Sequence, residues 1–119
     1  MKESSTNNFN RTEALFKCPV TFTLEMIGGR WKPLIIWQLK EGKMRYSELK
    51  RALPLISEKM LIQHLKELES DNLLIRHQKP VVPPFVEYEL TAMGEEIKPI
   101  LSAMGAWGLK YQSAEMSQN

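Results

Sequence analysis

The stretch Ser47-Glu-Leu-Lys-Arg-Ala-Leu-Pro-Leu-Ile-Ser57 decides the fold that we expect for this chain of 119 residues. It holds a short amphipathic helix over residues 47–53, a turn over residues 53–56, and the start of a second helix at Ser57. A hairpin with a proline-rich tip follows over residues 73–90. This order predicts a helix-turn-helix followed by a wing, an arrangement whose second helix fits the major groove of duplex DNA.

The first of these helices combines a packing side with a basic side. Ser47 is its expected N-cap, because the hydroxyl can accept a hydrogen bond from a free backbone N–H of the first turn. Leu49 and Leu53 then point towards the core. The candidate DNA contacts of this region are Arg45, Ser47, Lys50 and Arg51.

The second helix, predicted over residues 57–71, carries the candidate recognition surface. Its narrow apolar stripe consists of Leu61, Leu65 and Leu68. Glutamine can read adenine, lysine can reach guanine or phosphate, and serine makes short contacts. We therefore predict that Ser57, Lys59 and Gln63 contact bases and that Lys66 contacts phosphate. A merely solvated helix face is the alternative, and the adjoining turn and hairpin favour DNA.

The hairpin is predicted to form strands over residues 73–79 and 85–90, because apolar and polar residues alternate there. The three prolines of residues 80–84 remove hydrogen-bond donors, so the tip should be a stiff protruding loop. The inward positions are Leu73, Ile75, Val86, Tyr88 and Leu90. The basic flank suits phosphates or the minor groove and consists of Arg76, His77 and Lys79.

Two further helices are expected before this unit, over residues 20–27 and 30–40. The pair Gly28-Gly29 suits a left-handed stop of the first helix, and Pro33 is tolerated in the first turn of the second. The apolar positions expected in the core are Trp31, Leu34, Ile35 and Leu39.

The chain is predicted to return to a helix from Thr91, with a kink at Pro99. Its apolar stripe is too long for a small core to cover, and Gly105 and Gly108 leave room for close helix approach. We therefore expect the N- and C-terminal helices of two chains to form a homodimer, the alternative being a monomer with its last helix folded across its own core. The predicted interface residues are Phe16, Val20, Phe22, Leu24, Ile97, Leu101, Met104, Trp107 and Tyr111.

The composition is that of one globular domain, expected over residues 11–112, with flexible tails over residues 1–10 and 113–119. The sequence shows no apolar run near the roughly 18 residues of a membrane span and no signal-peptide core, so we expect a cytosolic protein. Residues 30–79 hold eleven of the sixteen basic residues and six of the fourteen acidic ones, a balance of +5. A basic centre of this kind suits a surface that faces phosphates.

The sequence does not suggest an enzyme or a cofactor. His64 and His77 lack the spacing of a metal site, and a single cysteine, Cys18, excludes an internal disulfide or a cysteine-based zinc cluster. The pair Gly28-Gly29 does not continue into a phosphate-binding loop. The more serious alternative to DNA binding is a winged-helix module that docks a protein through the outward face of residues 57–66.

Several segments resemble the HxlR-type winged-helix regulators of bacteria, relatives of the MarR superfamily. They are Cys18-Pro-Val, Ile27-Gly-Gly-Arg-Trp31, Arg45-Tyr-Ser-Glu-Leu-Lys-Arg-Ala-Leu53, Ile56-Ser57, Leu65-Lys-Glu-Leu68, Val82-Pro-Pro-Phe-Val-Glu-Tyr-Glu-Leu-Thr91 and Ala106-Trp107-Gly108. The resemblance covers residues 17–110 and implies a mainly α fold with a small β-hairpin wing. It also implies a homodimeric transcription factor, here expected to be a repressor. The family commonly has Asp-Gly-Leu where this chain has Asp71-Asn-Leu73.

Cys18 is a candidate sensor of oxidants or electrophiles. The charge of Lys17 and the N–H groups of a helix start both favour the reactive thiolate. The resemblance implies the same role, since the family includes sensors with a cysteine at this position. The chemical options are a Cys18–Cys18 disulfide between subunits, a mixed disulfide, or alkylation, so the expected signal is an oxidant or a small molecule. The alternative is a small apolar residue retained for packing.

Overall fold

The computed structural model describes residues 18–118, with side chains described for residues 18–112. The predicted tail over residues 1–10 and the predicted interface residue Phe16 lie outside this range. The elements in chain order are α1 (Pro19–Ile27), α2 (Trp31–Gln38), a 3-10 turn (Leu39–Glu41), β1 (Met44–Arg45), α3 (Tyr46–Ala52), α4 (Glu58–Ser70), β2 (Leu74–Lys79), β3 (Phe85–Leu90), α5 (Ala92–Glu95) and α6 (Lys98–Gln118). The predicted fold class, mainly α with a small β-hairpin wing, is confirmed.

The core forms where α2, α3 and the hairpin enclose one side of α4. The predicted leucine stripe of α4 is buried, as are Leu49 and Leu53 of the preceding helix and turn. In α2 the buried positions are Ile35, Ile36 and Leu39, whereas Leu34, expected in the core, is exposed. The buried hydrophobic side chains within residues 18–112 are those of Ile27, Ile35, Ile36, Leu39, Leu49, Leu53, Ile56, Leu61, Leu65, Leu68, Leu73, Leu74, Tyr88, Leu90 and Leu101.

The start of α3 differs from the prediction. Arg45, not Ser47, is the N-cap, and Ser47 is an exposed residue of the first turn. The backbone N–H of Arg45 donates to the carboxylate of Glu48 at 2.7 Å, so a side chain three residues into the helix satisfies the cap residue. The prediction was wrong because the short strand β1 leads directly into the helix and sets its first residue.

Both ends of α4 agree with the sequence. The hydroxyl of Ser57 accepts a hydrogen bond from the backbone N–H of Met60 at 3.1 Å, which confirms the predicted N-cap. At the other end Asn72 has φ +63°, the left-handed conformation that asparagine tolerates. The N–H of Leu73 donates to the carbonyl of Leu68 at 2.9 Å and closes the helix.

The wing is a three-stranded antiparallel sheet in the order β1-β3-β2. Leu74 pairs with Leu90, so these two side chains share the inward face of the sheet. Ile75, predicted to point inward, is consequently on the other face and is 40% exposed. Leu73 is buried as predicted, but it precedes the strand.

The C-terminal region forms two helices rather than one kinked helix. The hydroxyl of Thr91 caps α5 by accepting from the N–H of Gly94 at 2.9 Å. The chain then turns at residues 96–97, and Pro99 lies in the first turn of α6, where its missing N–H costs little. The backbone of residues 113–118 continues α6. Among the described residues, no helix is long and apolar enough to cross a membrane.

Truncation of the α4 stripe tests this architecture. We expect Leu65→Ala to lower the free energy of unfolding by about 2 to 5 kcal/mol, because a fully buried leucine leaves a cavity. Leu55→Ala, at a position that is 79% exposed, is the matched control and should change stability by less than about 0.5 kcal/mol. Chemical denaturation measures both, and equal losses would contradict the assigned core.

Candidate nucleic-acid interface

The outward face of α4 presents the four side chains that the sequence assigns to recognition. Ser57, Lys59, Gln63 and Lys66 are all exposed. Neither Lys59 nor Lys66 forms an ion pair with any residue from 18 to 112. Their positive charges are therefore available to an external anion.

Glu67 connects this face to the rest of the protein. Its carboxylate accepts from the Nζ of Lys32 in α2 at 2.9 Å, and the Nδ1 of His64 lies 3.3 Å away. The amide of Gln63 donates a longer hydrogen bond of 3.4 Å to the same carboxylate. The Lys32 ammonium holds the pKa of Glu67 below its usual range. Glu67 thus remains a carboxylate that anchors α4 and orients the predicted base-reading side chain.

A cleft of about 580 Å³ separates α4 from the wing. Four of the predicted DNA contacts, Arg45, Ser47, Lys66 and Arg76, line it together with one acidic residue, Glu69. Burial raises the pKa of Tyr46, which also lines the cleft, and the negative charge of Glu58 raises it further. The structure therefore brings together cations from the start of α3, the middle of α4 and the wing. The other lining residues are Ile62, Pro84, Val86 and Tyr88.

The basic residues of the wing point to different faces of the sheet. Arg76 faces the cleft and donates to the side chain of Gln78 at 2.9 Å. His77 lies on the opposite face, and its Nε2 is 2.7 Å from the carboxylate of Glu89. His77, predicted to contact DNA, is thus half-buried and engaged within the wing, whereas Arg76 and Lys79 are exposed.

Phe85 lies on the same face of the wing as His77 and contacts two of the predicted DNA-binding cations, although the sequence reasoning did not single it out. The guanidinium of Arg45 and the ammonium of Lys79 both lie over its ring. The only signal in the sequence is its place beside the proline-rich tip, and a contact with Arg45 depends on strand pairing across forty residues. The two remaining predicted contacts, Lys50 and Arg51, lie in the last turn of α3, where Arg51 is exposed and Lys50 is partly buried.

Cys18 is the partly buried N-cap of α1. Hydrogen bonds from the Thr21 side chain, and from the backbone N–H groups of Thr21 and Val20, lower the pKa of the Cys18 thiol. This agrees with the expected effect of a helix start on the thiol. Lys17, the other group expected to favour the thiolate, lies outside the described residues.

Apolar side chains remain exposed on α1 and α6. Val20 is 67% and Trp107 69% exposed, and the rings of Trp107 and Tyr111 contact each other with centroids 5.0 Å apart. Leu101, assigned by sequence to a dimer interface, is instead buried in the core of its own chain, and Ile97 packs against that core. The exposed members of the predicted interface are Val20, Phe22, Leu24, Met104, Trp107 and Tyr111.

The helix-turn-helix and the adjoining three-stranded sheet define a winged-helix protein, and the basic face of α4 forms no ion pair through Lys59 or Lys66 within residues 18–112. Comparison with known proteins identifies the family. The model of the HxlR-like helix-turn-helix family matches residues 26–116, and the chain belongs to this family. The protein is therefore a transcriptional regulator of the helix-turn-helix type. The prediction that it is not an enzyme is confirmed, since its relatives are named as regulators.

Three relatives illustrate the similarity. The chain is 52% identical over 94 residues to MalR of Fusobacterium mortiferum, named as a regulatory protein, which covers 78% of this chain and 89% of MalR. It is 47% identical to the HTH-type transcriptional regulator YkvN of Bacillus subtilis strain 168, over 87% of each chain. The solved structure of the redox regulator HypR in its reduced form superposes with a TM-score of 0.78 at 40% identity, covering 83% of this chain and 98% of HypR.

Proposed function

We propose that the protein is a homodimeric repressor that binds a specific sequence of double-stranded DNA. In this proposal α4 enters the major groove, and the wing contacts the DNA backbone or the adjacent minor groove. The observation that carries it is the outward face of α4, where Lys59 and Lys66 remain without an ion-pair partner among residues 18–112. A bound dimer would repress by occupying promoter DNA.

The proposed base contacts lie at the N-terminal end of α4, and the proposed phosphate contact lies further along the helix. Ser57 is the N-cap of α4, and Lys59 and Gln63 lie in its first two turns, which is the part of a recognition helix that meets base edges. Lys66 lies further along and lines the cleft together with Arg45 and Arg76. Phosphate contacts of this kind fix the register of the protein on the duplex, whereas Gln63 supplies sequence preference.

The alternative is docking of a protein on the same face of α4. Met60 and Ile62 flank the buried stripe and are each more than a third exposed, so an apolar partner would have some surface to contact. The two functions differ in their dependence on salt. Each phosphate neutralised on duplex DNA releases counterions, which makes DNA binding steeply sensitive to salt concentration.

The exposed apolar surfaces of α1 and α6 support the homodimer. Met104, Trp107 and Tyr111 lie within about 60° of one another around α6, so they form one stripe that a second chain can cover. Burial of the aromatic pair would remove a large apolar area from water. A two-fold dimer would place two copies of α4 about 34 Å apart, on successive major grooves.

We further propose that an oxidant or an electrophile regulates the protein by modifying Cys18. The lowered pKa of its thiol increases the thiolate fraction at neutral pH. Two of the similar solved structures are described as the redox regulator HypR, in its oxidised and reduced forms. Cys18 is also the N-cap of α1, so a modification there would act on the proposed dimer interface.

Substitutions on α4 separate the two kinds of DNA contact. We expect Gln63→Ala to weaken binding to a selected operator by about 1 to 3 kcal/mol while leaving scrambled duplex unaffected. Lys66→Ala should weaken binding to both duplexes and reduce the slope of log K against log salt by about 0.9, because one phosphate contact is lost. Fluorescence anisotropy across a salt series measures both quantities.

The matched control is Glu96→Ala, at an exposed position between α5 and α6 and away from α4. It should leave affinity and slope unchanged. Wild-type binding that is absent or independent of salt would contradict DNA binding and favour the protein-docking alternative.

A charge placed in the apolar stripe of α6 tests the dimer. Trp107→Asp should convert the protein to a monomer in solution, since an aspartate buried without a partner opposes association. Ser102→Asp, on the other side of the same helix, should remain dimeric. Sedimentation equilibrium at micromolar concentration gives both masses, and a monomeric wild type would refute the interface.

The reactivity of Cys18 should follow its pKa. Because that pKa is lowered, iodoacetamide should alkylate the wild type at a lower pH than an ordinary thiol, and Thr21→Val should shift the pH profile upwards. Diamide should release the wild type from operator DNA, whereas Cys18→Ser should stay bound. Equal release of wild type and Cys18→Ser would exclude Cys18 as the sensor.

A further inference from the structure

Two cations from different elements lie over the ring of Phe85, the first residue of β3. The guanidinium carbon of Arg45 is 4.4 Å from the ring centroid, and the Nζ of Lys79 is 4.6 Å from it. Both distances are within the roughly 6 Å at which an aromatic ring attracts a cation. The two positive charges are therefore separated by no more than the sum of these distances, about 9 Å.

Strand pairing explains why these side chains meet. Lys79 is directly opposite Phe85 in the β2–β3 ladder, and Arg45 is opposite Glu87, two residues further along β3. Alternate residues of a strand share one face, and diagonal neighbours are within reach of long side chains. Arg45 ends β1 and is also the N-cap of α3, so the ring contacts the residue at which the sheet leads into the helix-turn-helix.

An aromatic ring holds a cation without neutralising it. Neither Arg45 nor Lys79 forms an ion pair within residues 18–112. On the same face of the wing as Phe85, the ring of His77 contacts the carboxylate of Glu89, so a basic side chain beside a carboxylate does occur nearby. A carboxylate at position 85 would orient the two cations as well, but it would cancel part of their charge. Phe85 keeps both charges available.

We propose that Phe85 is a positioning residue of the DNA interface and that it holds Arg45 and Lys79 as one two-cation phosphate-binding site. The site depends on the DNA binding proposed above, and its ligand is the phosphate backbone of the duplex. Each strand of DNA carries a phosphate about every 3.4 Å along the axis, so two cations this close can engage one phosphate or two neighbours.

The test compares Phe85→Leu and Phe85→Tyr in the full-length protein. Leucine keeps an apolar side chain but removes the ring, whereas tyrosine keeps the ring. We expect Phe85→Leu to bind selected and scrambled duplexes about threefold to tenfold more weakly, with a salt slope smaller by about 1 to 2. Phe85→Tyr should retain wild-type affinity and slope.

A second background distinguishes positioning from a general structural role. In the double variant Arg45→Gln/Lys79→Gln the ring has no cations to hold, so adding Phe85→Leu should cause no further loss of affinity. The same loss in that background, or no loss in the wild-type background, would overturn the role of Phe85. Failure of the wild type to bind any duplex would overturn the DNA function as well, and these results are distinguishable in one titration.

Discussion

The burial of one leucine stripe is the constraint on which the rest of the structure depends. Leu61, Leu65 and Leu68 are at most 1% exposed, and each contributes about 1.5 to 3 kcal/mol by leaving water. Their spacing of three and four residues allows only one rotation of α4 about its axis, since a shift of one residue turns the helix by about 100°. The face that meets solvent is thereby fixed, and it presents Lys59, Gln63 and Lys66.

The charged side chains around this helix have two different tasks. Some connect elements, as Lys32 of α2 does through its ion pair with Glu67 of α4, and His77 of β2 contacts the carboxylate of Glu89 in β3. Other cations form no ion pair within residues 18–112. They lie on the outer face of α4, in the cleft and over the ring of Phe85. The paired side chains connect neighbouring elements, and we propose that the unpaired cations bind phosphate.

Sequence reasoning succeeded where a feature depends on neighbours along the chain. The cap at Ser57, the left-handed Asn72 and the leucine stripe are all local patterns, and the structure confirms them. Sequence reasoning failed where the local structure depends on the pairing of strands that are distant along the chain. The N-cap of α3 is Arg45 rather than Ser47 because β1, which pairs with β3, leads directly into the helix. The pairing of Leu74 with Leu90 determines which residues of β2 point inward. The contacts of Phe85 depend on the same pairing and were missed for the same reason.

Methylation interference on an operator selected from random duplexes tests most directly whether α4 enters the major groove. Dimethyl sulfate modifies guanine N7, which lies in the major groove, and adenine N3, which lies in the minor groove. The account predicts that N7 methylation blocks binding at two half-sites centred about one helical turn apart, as two copies of α4 about 34 Å apart require. Interference confined to adenine N3, or absent from both grooves, would contradict it.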